Sequence, residues 1–173
     1  VTTLLYFVLP QRFRVVMLLA ASCIFYMFFI PKYILILFLT ILVDYTAGIY
    51  IERAVGNKRK LWMVGSIVTT CLILFFFKYY NFFIDNVNLV FLALQGHEKF
   101  DPLNIILPIG LSFHTFQSLS YVFEVYYGRQ KAEKNFIVYS LYVMYYPQLV
   151  AGPIERPQNL LHQFHQSHAW DTN

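Results

Sequence analysis

Residues 107–124, LPIGLSFHTFQSLSYVFE, set Ser112, His114, Thr115, Gln117, Ser118, Ser120 and Glu124 into an otherwise apolar stretch. A histidine and a carboxylate are the groups that general acid–base chemistry uses. At about 100° per residue, a helix from Leu111 onward places His114, Gln117, Ser118, Tyr121 and Glu124 within an arc of about 120°. Polar groups on one face of an apolar helix need protein or water opposite them. The stripe His114, Gln117, Tyr121 and Glu124 is therefore read in two ways, as hydrogen-bonded contact between packed helices or as the lining of a wet tunnel.

A second stretch, YYPQLVAGPIERPQNL, raises the same issue. Pro147 should break the helix before it, and Gly152–Pro153 signals a turn with Glu155 and Arg156 directly after. Non-helical backbone near membrane depth is tolerated only under cover of protein or water, so this segment is expected to line a thinned depression at the outer side, or to form a simple surface turn there. The remaining ionisable groups offer less. His162, His165 and His168 repeat every third residue, but the first and third diverge around a helix, and zinc sites use other spacings. His97 lies in a polar loop. Asp44 sits in an apolar run toward one end, where a partnered structural role suits it. Cys23 and Cys71, both in apolar runs, read as small buried hydrophobes. No nucleophile elbow or phosphate loop occurs, so no catalytic, cofactor or metal residue is assigned.

The elements that must carry these residues are set by composition. Of 173 residues, 58% are hydrophobic and 13% charged, against roughly half and a quarter in soluble domains. Charge-poor runs predict spans at 13–30, 33–51, 61–84, 104–127 and 136–150, near the roughly 17–25 residues that crossing a bilayer takes. The connecting segments then collect Arg12, Arg14, Arg53, Lys58, Arg59, Lys60, Arg129, Lys131 and Lys134 on one side. Lys32, Lys78, Lys99 and Arg156 fall on the other. By the positive-inside rule the first side is cytoplasmic. The net charge of +4 follows from this topology, and nothing points to nucleic acid. Residues from Asn81 to Pro102 read as a long amphipathic connection along the outer surface. Aromatics at Tyr79–Phe83, Tyr126–Tyr127 and Tyr145–Tyr146 read as interfacial belts.

LPIGLSFHTFQSLSYVFEVYYG followed by FIVYSLYVMYYPQLVAGPIERPQ resembles the membrane-bound O-acyltransferase family. The likeness is to the bacterial branch of the alginate O-acetyltransferase membrane subunit and the teichoic acid D-alanyl transfer protein, and runs from about Leu4 to Phe164. It implies an all-α, multi-pass transmembrane helical bundle in the cell (inner) membrane. An acyl group would pass from a cytoplasmic-side thioester, such as acetyl-CoA or an acyl carrier, to a hydroxyl of an exported polysaccharide such as alginate. Other polysaccharide-modification proteins would be partners. Residues 1–173 are expected to be the N-terminal part of one membrane-embedded acyltransferase domain, truncated at both ends and inactive alone. The family's catalytic histidine lies beyond this sequence, and His114 stands where the family often has Tyr or His. The alternative is a non-enzymatic transporter or channel component whose stripe lines a solute path.

Overall fold

A computed structural model of the chain describes residues 2–29, 31–94, 100, 110–149 and 155–166. All regular structure among them is helical: α1 (Thr2–Val8), α2 (Gln11–Phe29), a 3-10 turn (Pro31–Tyr33), α3 (Ile34–Arg53), α4 (Asn57–Ala93), α5 (Leu111–Tyr126), α6 (Phe136–Met144), α7 (Tyr146–Leu149) and α8 (Pro157–His165). Two of the helices, Pro31–Arg53 counted with its 3-10 turn and Asn57–Ala93, are long and apolar enough to cross a membrane.

Helix α3 is the axis of the bundle and packs against α4, α5 and α6. Its Leu37, Ile41 and Ile51 are fully buried, in one core with Tyr121 and Val122 of α5 and Tyr139 and Tyr142 of α6. Gly48 makes the close approach of α3 and α5 possible. A Cβ there would lie 2.7 Å from Tyr121 Cε1, inside any tolerable contact. The turn after α5 needs a second glycine. Gly128 takes φ 73°, a left-handed conformation costly for residues with a Cβ, while the Arg129 amide returns to the Glu124 carbonyl at 3.0 Å. Asn135 then starts α6 by accepting the Ile137 amide at 3.0 Å, which satisfies one of the amides that a helix start leaves free.

The loops at the basic end are tied together. Arg59 donates to the Val125 carbonyl at 3.0 Å, the Ala132 amide to Glu52 at 3.3 Å, and the Tyr45 hydroxyl to the Lys134 carbonyl at 2.6 Å. The segments around Arg53, Arg59 and Arg129 thus share one end of the bundle, as alternating spans require.

Several sequence expectations are corrected. The 81–102 segment does not begin as a separate surface connection: α4 runs unbroken for 37 residues to Ala93. The polar residues Asp85, Asn86 and Asn88 do not stop it, because each remains compatible with helical backbone and can reach solvent or a nearby carbonyl. The Asn86 amide indeed donates to the Phe82 carbonyl at 2.7 Å. Cys71 is exposed on α4 rather than buried, and Cys23 is half-buried. The fifth span, 136–150, is not one helix. Helix α6 has nine residues, about 14 Å of rise, roughly half of a hydrocarbon core. It stops at Met144, before Pro147, which sits inside the single turn of α7. The proline acts upstream: its ring clashes with the carbonyl four residues earlier, Val143, and supplies that carbonyl no amide hydrogen.

The candidate functional site

Helix α5 brings the predicted stripe into the bundle: His114, Gln117, Tyr121 and Glu124 are all buried. Their partners come mainly from the broken end of α6 and from α8. His114 Nδ1 donates to the Val143 carbonyl at 2.6 Å. Because a carbonyl can only accept, the proton must sit on Nδ1, and Nε2 keeps its lone pair. Gln117 Nε2 donates to the Tyr142 carbonyl at 2.7 Å and lies 3.4 Å from Gln148 Oε1. Tyr121 accepts the Glu133 amide at 2.9 Å. Glu124 accepts from Gln158 Nε2 of α8 at 2.6 Å and pairs with Arg129 at 3.4 Å.

Two further bonds complete the junction. Ser22 of α2 accepts the Tyr146 amide at 3.2 Å, and the Tyr142 hydroxyl donates to the Glu155 carbonyl at 3.1 Å. Sequence reasoning missed Ser22, which looked like any hydroxyl in an apolar span. It also missed the buried tyrosines of α6, Tyr139 and Tyr142, whose rings pack with Tyr121 at centroid distances of 4.6 and 6.5 Å. A count of tyrosines in 136–146 could have flagged them, but the belt reading took up only Tyr145 and Tyr146 there. Tyr145 and Tyr146 are likewise packed inward, against Phe164 at 5.6 Å and Phe25 at 6.1 Å.

Only part of the second motif is described. Gly152 and Pro153 lie outside the described residues, as do His97 and His168. Glu155 and Arg156, expected at the outer side, directly precede α8. Gln158 meets Glu124 near the end of α5, and His165 Nε2 meets Glu133 Oε2 at 2.9 Å. Helix α8 thus packs on α6 and reaches residues of the basic end from both its first turn and its last residue. His162 bonds the Gln158 carbonyl at 2.7 Å; among the described residues no three His, Cys, Asp or Glu side chains gather for a metal.

Asp44 is fully buried and accepts from Ser66 and from Thr70, the latter at 2.9 Å. It pins α3 to α4, and Ser118 of the polar face of α5 lies against it as well. A cavity of about 240 Å³ opens beside the α6 break, lined by Tyr6, Leu18, Tyr145, Tyr146 and Phe164 among others, and the stripe residues do not line it. Chemically, the junction combines donors to backbone carbonyls (His114, Gln117, Tyr142) with acceptors (Tyr121, Ser22, Glu124). No hydroxyl or thiol nucleophile is hydrogen-bonded to His114 among the described residues, so they assemble no nucleophile–base pair.

Taken together, apolar spanning helices closed around a buried polar break define an all-α membrane protein. Comparison with known proteins takes this further. The chain is 35% identical over 170 residues, 96% of its length, to a probable alginate O-acetylase, AlgI, of Pseudomonas aeruginosa. It is 36% identical over 172 residues to the protein of the same name in Pseudomonas syringae, and 30% identical over 172 residues, 85% of its length, to a peptidoglycan O-acetyltransferase of Helicobacter pylori. Over most of its length it is thus similar to proteins named for O-acetyl transfer. The chain spans about a third of the length of these relatives, 32%, 33% and 32% respectively. No family profile and no solved structure matches it.

Proposed function

We propose that this chain is part of a multi-pass inner-membrane O-acetyltransferase that moves an acetyl group from a cytoplasmic-side thioester to a hydroxyl of an exported polysaccharide such as alginate. The observation that carries the reading is identity of 30–36% to proteins named as O-acetylating enzymes along 85–96% of this chain. In the reaction, the acceptor oxygen attacks the thioester carbonyl and the C–S bond breaks. The hydroxyl proton leaves with the thiol, and a new ester C–O bond remains on the polymer. Acetyl-CoA or an acyl carrier supplies the thioester.

Within that reaction the described residues act as scaffold. They satisfy a broken helix at half-membrane depth, where unpaired backbone groups would otherwise cost several kcal/mol each. The stripe keeps both of its alternatives, helix contact and tunnel lining: its donors bond neighbouring helices and shape the break, while His114 Nε2 and Gln117 Oε1 have no partner among the described residues. The transporter reading gains no support from the comparisons. The test is transfer of labelled acetyl from acetyl-CoA to purified alginate by the full-length protein in nanodiscs. Label accumulating as polymer ester supports the reading, and a full-length protein that binds polymer without esterifying it refutes it.

A further inference from the structure

In a continuous helix the carbonyl of Tyr142 would take the amide of residue 146, and that of Val143 the amide of residue 147. Here the Tyr146 amide is donated to Ser22 instead, and Pro147 has no amide hydrogen to give. Both vacated positions are filled from one neighbour, by Gln117 at 2.7 Å and His114 at 2.6 Å. The two donors stand three residues apart on α5, adjacent on one helix face, matching two consecutive carbonyls of the antiparallel α6. Their order is inverted in register: the later donor takes the earlier carbonyl, as antiparallel packing demands.

We propose that His114 and Gln117 are positioning residues for the acyl transfer, holding the end of α6 open so that the chain turns at half-membrane depth rather than continuing as a span. The proposal rests on the acyltransferase reading and adds to it the part played by this junction. His114 works through Nδ1, as a donor to backbone. Its imidazole is not required as a base. Asparagine, whose amide nitrogen can stand where Nδ1 stands, should then substitute, whereas leucine should not.

The proline makes the idea separable from ordinary helix contact. Pro147→Ala restores an amide at 147, so the Val143 carbonyl can be satisfied within its own helix. In the full-length protein, His114→Leu should lower both thermal stability and acetyl transfer from labelled acetyl-CoA to alginate, and His114→Asn should recover both. The double variant His114→Leu/Pro147→Ala should recover stability, yet transfer should remain down by about tenfold to a hundredfold, the loss that follows from misplacing a reacting group by about 1 Å. Pro147→Ala alone should be stable and similarly slow, with the loss in kcat.

Wild-type transfer rates in Pro147→Ala would overturn the proposal, because the break would then be dispensable. So would a folded His114→Leu protein with normal transfer. A folded His114→Asn protein that is as slow as His114→Leu would also overturn it, by assigning a role to Nε2. If His114→Leu does not accumulate, Pro147→Ala and Gln117→Leu carry the test. If the wild-type protein itself transfers no acetyl group, the acyltransferase reading has failed, and recovery of stability in the double variant still tests the bond to Val143.

Discussion

Helices α4 and α6 solve one problem in opposite ways. Helix α4 is 37 residues long, about 55 Å of rise. Its side chains are largely exposed, with Leu61, Leu72, Phe82 and Leu89 each 60–70% accessible, and among the residues described only Ser66 and Thr70 are buried. Such a helix closes its own backbone hydrogen bonds and can face lipid with no help beyond apolar side chains. Helix α6 has nine residues, seven of them buried. Its Tyr142 and Val143 carbonyls are satisfied by side chains of α5, and the Tyr146 amide just beyond it by α2. Regular backbone can be left to the bilayer, whereas broken backbone has to be buried in protein. That is why the polar residues concentrate on α5, facing the break, rather than on the longest helix.

The contrast is tested most severely by topology. If α6 and α8 form a hairpin, Gln130→Cys and Gln166→Cys should both resist an impermeant thiol reagent on intact cells, in a background lacking Cys23 and Cys71, and Lys32→Cys should react. Opposite behaviour of positions 130 and 166 would make α6 the start of a full crossing and remove the contrast.

Next in size is Gly48→Leu. With Tyr121 Cε1 2.7 Å from the position of a Cβ, the larger side chain should cost about 3 kcal/mol, the upper part of the usual range for overpacking, read as loss of unfolding stability in the full-length protein. The same substitution at Gly65 of α4, where a Cβ meets nothing within 4 Å, should be tolerated. Glu124→Leu should cost about 2 kcal/mol, because hydrogen bonds to a charged group contribute about 1.5–3 kcal/mol and Gln158 would lose its acceptor. A stabilising effect would place Glu124 against lipid and contradict the buried stripe. Gln117→Leu should cost about 0.6 kcal/mol, the average for hydrogen bonds between membrane helices. The smallest effect belongs to α4: Phe82→Leu, at an exposed position, should stay within about 0.5 kcal/mol.

The sequence was enough to read the helical class and the phase of α5. Apolar runs of span length and the three- and four-residue spacing of His114, Gln117, Tyr121 and Glu124 are local properties, fixed by helix geometry and the cost of polar groups in hydrocarbon. The start of α5 after Gly110 and the grouping of Arg53, Arg59 and Arg129 at one end were legible for the same reason. What the stripe touches was not. Pro147 announced a break, but only the packing of α6 against α2 and α5 decided that the helix should end at Met144, with Ser22, 124 positions away in sequence, taking the displaced amide.

Nor could composition tell that 136–150 is a half-span. Hydropathy measures what a segment avoids, and a buried half-length helix avoids water as fully as a crossing helix does. The packing of α8 on the basic end followed from contacts to Glu124 and Glu133 that are distant in sequence. Local patterning thus determined which residues leave water and which helix face they share. Tertiary structure decided which backbone groups those faces complete, because a vacated carbonyl takes whichever donor the fold brings within about 3 Å.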